Sequence, residues 1–305
     1  MSDMIDPEFI RHAGHEQIKE YIDFCENSFY NHLTPVVNEL AAGNAKIVSL
    51  AGPSCSGKTT CAGIISDMLS KLGKKVTPIS TDDYFKSPNE APLNADGTPN
   101  YEHFEHLEVD LLTETLDRIR ANKPFHFSKY DFMSGKRTTL PVEYYPAENE
   151  IFILEGIHAL NDRLMASIGS TANIGVYISL YDGYNTDGKM LFSSRDIRFV
   201  RRLVRDFNYR SIDIDTTMKQ WSNVIEGEEL YIMPYIKNAK YTVSSYLPYE
   251  IFVLRDDALK LLSTVKSDSK YYYRAQSIIE RLSPLPSIAK QYVPKNSILN
   301  EFIGK

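Results

Sequence analysis

One eight-residue segment of the chain reads Gly52-Pro53-Ser54-Cys55-Ser56-Gly57-Lys58-Thr59. It fits the pattern G-x-x-x-x-G-K-[ST], the P-loop that cradles nucleotide phosphates. Glycines let such a loop turn tightly, so that successive backbone N–H groups point inward and form an anion site. Lys58 is expected to reach the terminal phosphates and the Thr59 hydroxyl to bind Mg²⁺. The segment, together with the next residue Thr60, therefore predicts a site for ATP and Mg²⁺.

The flanking sequence supports this interpretation. Ile47–Ala51 is a short apolar run suited to a buried parallel strand. Apolar residues then recur at helical spacing over residues 64–72, and Gly73 follows as a helix stop. The order strand, glycine-rich loop, helix is the one that the motif requires. A chance match in a chain of this length is expected on the order of 0.01 times, so a ligand-free Gly/Ser turn is disfavoured.

Composition limits the classes of function. The chain has 305 residues, of which 43% are hydrophobic, and a formal net charge of −6. This charge argues against a general nucleic-acid-coating role. The odd cysteine count fits a reducing compartment. The sequence has no apolar run of membrane-spanning length and no opening signal peptide, so we expect a cytoplasmic protein without a membrane partner.

The apolar runs predict an α/β architecture. Further strands are expected at residues 76–80, 151–154, 174–178 and 241–243, with helices between most of them. Pro78 indicates either an edge strand or the end of a strand. Residues 125–130 and 138–145 predict a small hairpin insert. The expected fold is a three-layer P-loop NTPase type, with a parallel sheet and ligands at the carboxyl ends of its strands.

Three segments are expected along the chain. Residues 1–45 form an N-terminal helical extension, in which Thr34 and Pro35 predict the start of a second helix. Residues 46–245 form the P-loop domain. Residues 246–305 form a C-terminal helical segment that packs on it.

Two carboxylates follow predicted strands. Asp82 comes just after the second strand, where an acid could accept a proton from an attacking hydroxyl. Glu155 ends the third strand, where it could hold Mg²⁺. Turn or cap roles are the alternatives for both residues. The nearby P-loop favours the functional interpretation.

A stripe of arginines begins after Asp196. Its members recur at i, i+3, i+4 and i+7, so they share one helix face, and they include Arg198, Arg201, Arg202 and Arg205. Guanidinium groups bind phosphate through rigid paired donors. A solvated, salt-bridged helix face is one alternative. A nucleic-acid-binding stripe is another, which the acidic net charge and the absence of interleaved aromatic residues disfavour.

Aromatic residues accompany acids in two further segments, around Tyr101–His106 and at residues 130–132. They could enclose a flat ring and its sugar hydroxyls, although aromatic residues are more often part of a core.

Taken together, these motifs resemble the uridine kinase/phosphoribulokinase family. They are the P-loop, STDDYF (80–85), FEH (104–106), YDF (130–132), EGIH (155–158) and D-x-R-x-x-R-R-x-x-R-D-x-x-x-R (196–210). The resemblance covers residues 45–245. Residues 135–137, 221–234 and 293–304 are similar to a bacterial-type uridine kinase-like subgroup. Members of this subgroup often carry a threonyl-tRNA synthetase-like N-terminal module, which the short helical leader here does not resemble.

The resemblance implies roles for individual residues. Asp82 would be the general base, and Lys58, Arg202 and Arg205 would also act in catalysis. Thr59 and Glu155 would bind Mg²⁺. The implied acceptor-site residues are Tyr84, Phe104, Glu105, Tyr130, Phe132 and Arg202. The implied members of a mobile lid over the phosphates are Arg202, Arg205 and Arg210, of which Arg210 also contacts the nucleotide.

Two positions depart from the family pattern. Gly135 stands where well-characterised uridine kinases carry a histidine, and Ile212 stands where they carry a second lid arginine. Both missing groups contact the base in the family, and specificity in such a pocket depends on hydrogen bonds to ring edges. Phosphoryl transfer is therefore better supported than uridine as the acceptor. We expect an ATP- and Mg²⁺-dependent kinase that resembles uridine and cytidine kinases, with the 5′-OH of a nucleoside as its small-molecule acceptor. The alternatives are another small hydroxyl compound and a nucleotide-binding regulatory protein without turnover. Self-association into a homo-oligomer is compatible with the sequence.

Overall fold

A computed structural model describes residues 6–43, 45–94, 97–169, 173–186 and 188–304. Its strands are β1 Ile47–Ala51, β2 Lys75–Ser80, β3 Phe125–Asp131, β4 Lys136–Tyr144, β5 Glu150–Glu155, β6 Asn173–Ser179, β7 Tyr184–Thr186, β8 Lys189–Phe192 and β9 Tyr241–Ser244. Its α-helices are α1 Pro7–His12, α2 His15–Ala42, α3 Lys58–Lys71, α4 Val109–Arg120, α5 Asp162–Ile168, α6 Ser194–Arg210, α7 Ile214–Tyr231, α8 Glu250–Leu262 and α9 Tyr272–Leu282. Short 3₁₀ turns include Thr81–Tyr84, Phe104–His106, Lys290–Tyr292 and Ile298–Glu301.

The central sheet confirms the predicted α/β, P-loop type of fold. Its five strands are parallel and run in the order β2-β5-β1-β6-β9. Strands β1, β5 and β6 are buried on both faces, as their continuous apolar runs predict. Pro78 lies on the edge strand β2, where a missing N–H costs no ladder bond. The P-loop therefore leaves the middle strand, with the ends of β2 and β5 on one side of it.

Two antiparallel hairpins stand apart from this sheet. The β3–β4 hairpin is the predicted insert. The second, β7–β8, is not predicted by the sequence analysis. Its strands have three and four residues, which is too short for an alternating pattern to stand out.

The N-terminal helix corrects one prediction. The expected break at Thr34 and Pro35 does not occur. Helix α2 has 28 residues in total and runs through Pro35 without interruption. Proline removes one helical hydrogen bond and typically costs about 3 kcal/mol in a helix interior. Phe29, Leu33 and Val36, on both sides of this point, are buried in the core. Packing of one continuous apolar face therefore outweighs the local preference for a break.

The core forms on both faces of the sheet. One cluster joins α2, α3, α6, α8, α9 and the C-terminal residues. The other joins α4 and α5 to the opposite face, around Phe152 and Leu154. Residues from both ends of the described chain thus share a core with the P-loop helix.

Of the helices in the described ranges, none combines the length and apolarity needed to cross a membrane.

Candidate active site

The P-loop runs from the end of β1 into α3. Gly57, in the left-handed region with φ of 81°, directly precedes the helix. A side chain at Gly52 is excluded because its Cβ would lie 2.0 Å from the carbonyl oxygen of Ile178. Pro53 accepts hydrogen bonds from the Ser56 amide (3.1 Å) and from the Lys58 ammonium (3.3 Å). The loop is therefore closed on itself, with Lys58 folded back over its own backbone.

Two buried arginines of α6 hold the outer side of this loop. Arg198 donates to the carbonyl oxygen of Ser54 (3.0 Å) and Arg201 to that of Cys55 (3.2 Å). Arg201 also forms a buried ion pair with Glu250. Cys55 has a φ of 61°, which is uncommon for a residue other than glycine. The arginine stripe of the sequence thus includes residues that fix the phosphate-binding backbone.

The Mg²⁺-binding residues predicted from sequence lie together beside the loop. The Thr59 hydroxyl donates to one carboxylate oxygen of Glu155 (3.4 Å), and the Ser80 hydroxyl donates to the other (3.0 Å). Hydroxyl and carboxylate oxygens are hard donors of the kind that Mg²⁺ takes together with substrate phosphates. Among the described residues, no group of three or more His, Cys, Asp or Glu side chains is placed to hold a metal ion by itself. The donor set therefore fits an ion held jointly by protein and nucleotide.

Asp82 lies on the 3₁₀ turn that follows β2, across from the P-loop. Burial, and then the negative charge of Glu155, raise the pKa of Asp82 to about 6. Lys58 acts in the opposite direction. Its neighbour Asp83 instead pairs with Lys129 (3.0 Å) and ties the turn to the β3–β4 hairpin. A carboxylate with a pKa of about 6 is suited to accept a proton near neutral pH.

A cleft of about 1000 Å³ contains most of the predicted site residues. Those that line it are Ser54, Cys55, Gly57, Lys58, Thr59, Thr60, Asp82, Phe132, Glu155, Arg202, Arg205 and Arg210. Lining residues that the sequence analysis did not propose include Phe85, Glu102, Tyr209 and Glu301. The phosphate loop, the candidate base and the arginine helix therefore share one opening.

Several predicted acceptor-site residues do not reach this cleft, which corrects the prediction. Tyr84 is buried in the core, and its hydroxyl donates to Thr115 (3.4 Å). Phe104 is buried in the same core. Tyr130 is also buried and packs behind Phe132, with the ring centres 5.0 Å apart. Of the four predicted aromatic residues, Phe132 is the one that faces the cleft.

Glu105 also faces away from the cleft. It pairs with Arg163 (2.8 Å) at the surface. Glu102, three residues earlier, lines the cleft. Burial raises the pKa of Glu102, while Lys58 and then Arg202 lower it. Both acids belong to the same acidic and aromatic stretch; Glu105 lies on the 3₁₀ turn at Phe104–His106, and Glu102 precedes that turn.

The remaining arginines surround a buried carboxylate. Asp206 pairs with Arg202 (3.1 Å), Arg205 (3.1 Å) and Arg210 (3.6 Å). Arg202 also donates to the Ser54 hydroxyl (3.2 Å). The predicted lid therefore has a fixed base, and its mobility stays a prediction.

Comparison with known proteins agrees with these features. The family model described as Phosphoribulokinase / Uridine kinase family matches residues 47–251, about two thirds of the chain. The chain belongs to this family. Family membership implies a phosphotransferase.

Curated relatives include uridine kinases of two bacteria. The Lactobacillus helveticus protein is 29% identical over 180 residues, which are 59% of this chain and 76% of that protein. A Staphylococcus aureus protein is 28% identical over 179 residues, with 59% and 77% covered. A solved structure described as a possible uridine kinase from Bacillus stearothermophilus has 16% identity and a TM-score of 0.45, covering 74% of this chain and 99% of that one.

The two departures from the family pattern lie in the turn between β3 and β4 and just after α6. Gly135 has a φ of 63°, and a Cβ there would lie 2.8 Å from the Pro88 ring. Ile212 follows α6 and donates its amide to the carbonyl oxygen of Asp206 (3.1 Å). A histidine at position 135 would therefore meet the Pro88 ring and would need a strained backbone conformation.

Proposed function

We propose that this protein is an ATP- and Mg²⁺-dependent kinase that phosphorylates a hydroxyl group of a nucleoside, with the 5′-OH as the site of transfer. The observation that carries the proposal is the placement of Asp82 in one cleft with Lys58 and the Thr59–Glu155 pair. A phosphoryl donor held by the loop would present its terminal phosphate to a hydroxyl positioned by Asp82.

The cleft residues have different roles in the in-line transfer of the γ-phosphoryl group. The acceptor oxygen forms a bond to the γ-phosphorus while the bond to the β–γ bridging oxygen breaks, and the hydroxyl proton passes to Asp82. A positioned base typically contributes 10²–10⁴-fold in rate. Lys58, Arg202 and Arg205 offset the charge that develops on the transferred group. Mg²⁺ held by Thr59 and Glu155 would neutralise phosphate charge.

The acceptor side of the cleft combines a carboxylate with aromatic rings. Glu102 can accept hydrogen bonds from sugar hydroxyls, and Phe85, Tyr101 and Phe132 offer ring faces for a base. These residues support a nucleoside more than a purely aliphatic alcohol. Glu102 takes the role that the sequence analysis gave to Glu105.

A second candidate is a kinase of the same build that acts on another small hydroxyl compound, such as a sugar phosphate or a modified nucleoside. Gly135 and Ile212 favour it, because a pocket without polar groups for the ring edges discriminates poorly among bases.

The test is an acceptor screen that couples ADP release from Mg·ATP to a recorded signal. It includes the common nucleosides, sugars and sugar phosphates, with Asp82→Asn as the control for turnover. Robust uridine or cytidine turnover supports the first candidate, and turnover of a sugar phosphate alone supports the second. Tight ATP binding without turnover of any acceptor would contradict both and favour a regulatory nucleotide-binding protein.

A further inference from the structure

The C-terminal residues pack directly on the phosphate-binding loop. Ile298 lies against Gly57, where an added Cβ would meet its Cδ1 at 2.1 Å. Phe302 is fully buried, and the Arg201 guanidinium lies 5.0 Å from its ring centre. We call residues 298–304 the C-terminal strap. The strap reaches the nucleotide site from the side of α3.

One charged side chain of the strap enters the cleft. Glu301 lines it, and its Oε2 accepts a hydrogen bond from the Thr60 hydroxyl (2.9 Å). Thr60 is the third residue of α3, directly after Lys58 and Thr59. The carboxylate thus lies at the first turn of the helix that follows the phosphate loop.

This position is attractive to any anion. The first-turn amides of a helix lack partners within the helix, and the helix dipole adds positive potential there. Phosphate oxygens bind at P-loop helices for the same reasons. The Thr60 hydroxyl can donate only one hydrogen bond at a time. Glu301 and a bound phosphate would therefore compete for one donor, and their negative charges would repel.

We propose that Glu301 is a built-in competitor of the donor phosphates and sets the affinity of the site for nucleotide. This inference rests on the proposed function and adds a control on donor affinity to it. Nucleotide binding requires the Thr60–Glu301 hydrogen bond to break and the carboxylate to turn away. Arg205 and Arg210 line the same cleft and are cations toward which it can turn.

The main chain of the strap stays in place during this change. Asn208 donates to the carbonyl oxygen of Phe302 (3.1 Å), Tyr209 to that of Asn300 (3.0 Å) and Lys290 to that of Ile303 (2.7 Å). These anchors lie on both sides of Glu301 in sequence. The moving part is therefore one side chain on a fixed backbone, which a single substitution can test without removing core residues.

The experiment compares the wild-type protein with Glu301→Gln by calorimetric titration with Mg·ATP and, separately, with inorganic pyrophosphate. Glutamine keeps an oxygen acceptor for Thr60 and removes the charge. We expect both ligands to bind about tenfold more tightly to the variant, with a smaller difference at high salt because charge repulsion is screened. Glu280→Gln, an exposed acid on α9, is the matched control and should bind like the wild type.

Each other result contradicts the inference. Unchanged binding of both ligands would show that the carboxylate does not compete. Weaker ATP binding with unchanged pyrophosphate binding would assign Glu301 to the nucleoside part of the donor. A wild-type protein that binds neither ligand would overturn the proposed function itself. A thermal melt of the Glu301→Gln variant separates these results from loss of folding.

Discussion

At the scale of single residues, acids that look equivalent in sequence differ in their contacts because their surroundings differ. Asp82 and Asp83 are adjacent, yet Asp83 pairs with Lys129 while Asp82 faces the cleft. Burial and the charge of Glu155 raise the pKa of Asp82. The same turn therefore supplies one structural carboxylate and one suited to proton transfer.

The pH dependence of turnover tests the role of Asp82. Its pKa of about 6 lies above the ordinary 3.8, so the group is protonated and inactive as a base at lower pH. We expect kcat/KM to be level above pH 7 and to fall about tenfold per pH unit well below pH 6. A profile that stays flat down to pH 5 would contradict the assignment.

The same shift predicts a gain in stability on substitution. Because the folded-state pKa is raised, the stability that the protonated carboxyl contributes is present at low pH and is lost as pH rises through about 6. Asp82→Asn should therefore raise Tm above pH 7 while turnover falls about 10²–10⁴-fold.

Glu102 and Glu105 provide a matched pair for the acceptor site. Glu102→Gln should raise KM for the acceptor about 10-fold or more, because a hydrogen bond to a charged group contributes about 1.5–3 kcal/mol. Glu105→Gln removes a surface ion pair with Arg163 and should leave KM nearly unchanged. Steady-state kinetics with the acceptor found in the screen measure both variants. A larger increase in KM for Glu105→Gln than for Glu102→Gln would assign acceptor binding to Glu105.

At the scale of elements, α6 both lines the cleft and supports the P-loop. One side of it carries Arg202 and Arg205 into the cleft. Arg198 and Arg201 are buried and bind loop carbonyls, with Glu228 and Glu250 as their ion-pair partners. A helix whose arginines bind the P-loop backbone restricts how far the predicted lid can move.

Removal of one of these arginines should destabilise the protein strongly. Arg201→Met leaves Glu250 buried without its partner, which typically costs about 3–5 kcal/mol. Chemical denaturation measures the change. Arg195→Met, which breaks an exposed pair with Glu229, is the control and should cost less than about 1 kcal/mol. The double variant Arg201→Met/Glu250→Leu should recover part of the lost stability. Equal losses for Arg201→Met and the control Arg195→Met would contradict this interpretation.

At the scale of the whole molecule, both terminal segments complete one core with the P-loop helix. A buried polar contact joins them, because the hydroxyl of Tyr249, the residue just before α8, donates to Glu26 of α2 and lies 3.3 Å from the Ser297 hydroxyl. We propose that the described residues of the two terminal segments, 6–43 and 246–304, are integral to the stability of the P-loop domain and do not form independent modules.

A core substitution in α2 tests this proposal. Leu33 is fully buried, so Leu33→Ala should lower the free energy of unfolding by about 2–5 kcal/mol in a single cooperative transition. Glu20→Ala, at an exposed position of the same helix, should change it little. Two separate transitions, with the second unchanged by Leu33→Ala, would show that α2 unfolds independently.

The local sequence determined the strands of the parallel sheet and the P-loop. The octapeptide at residues 52–59, the continuous apolar runs and Pro78 were sufficient, because loop conformation is local, a strand buried on both faces needs a continuous apolar run, and an edge strand tolerates proline. The candidate base Asp82 followed from its position at the end of β2.

Only the tertiary structure decided which side chains meet. It turned Glu102 rather than Glu105 into the cleft, buried Tyr84, carried α2 through Pro35 and brought Glu301 to Thr60, 241 residues away in sequence. These outcomes depend on long-range packing, in which the burial of an apolar face outweighs local preference. A local sequence pattern does not specify which residue from a distant part of the chain will pack against a given side chain.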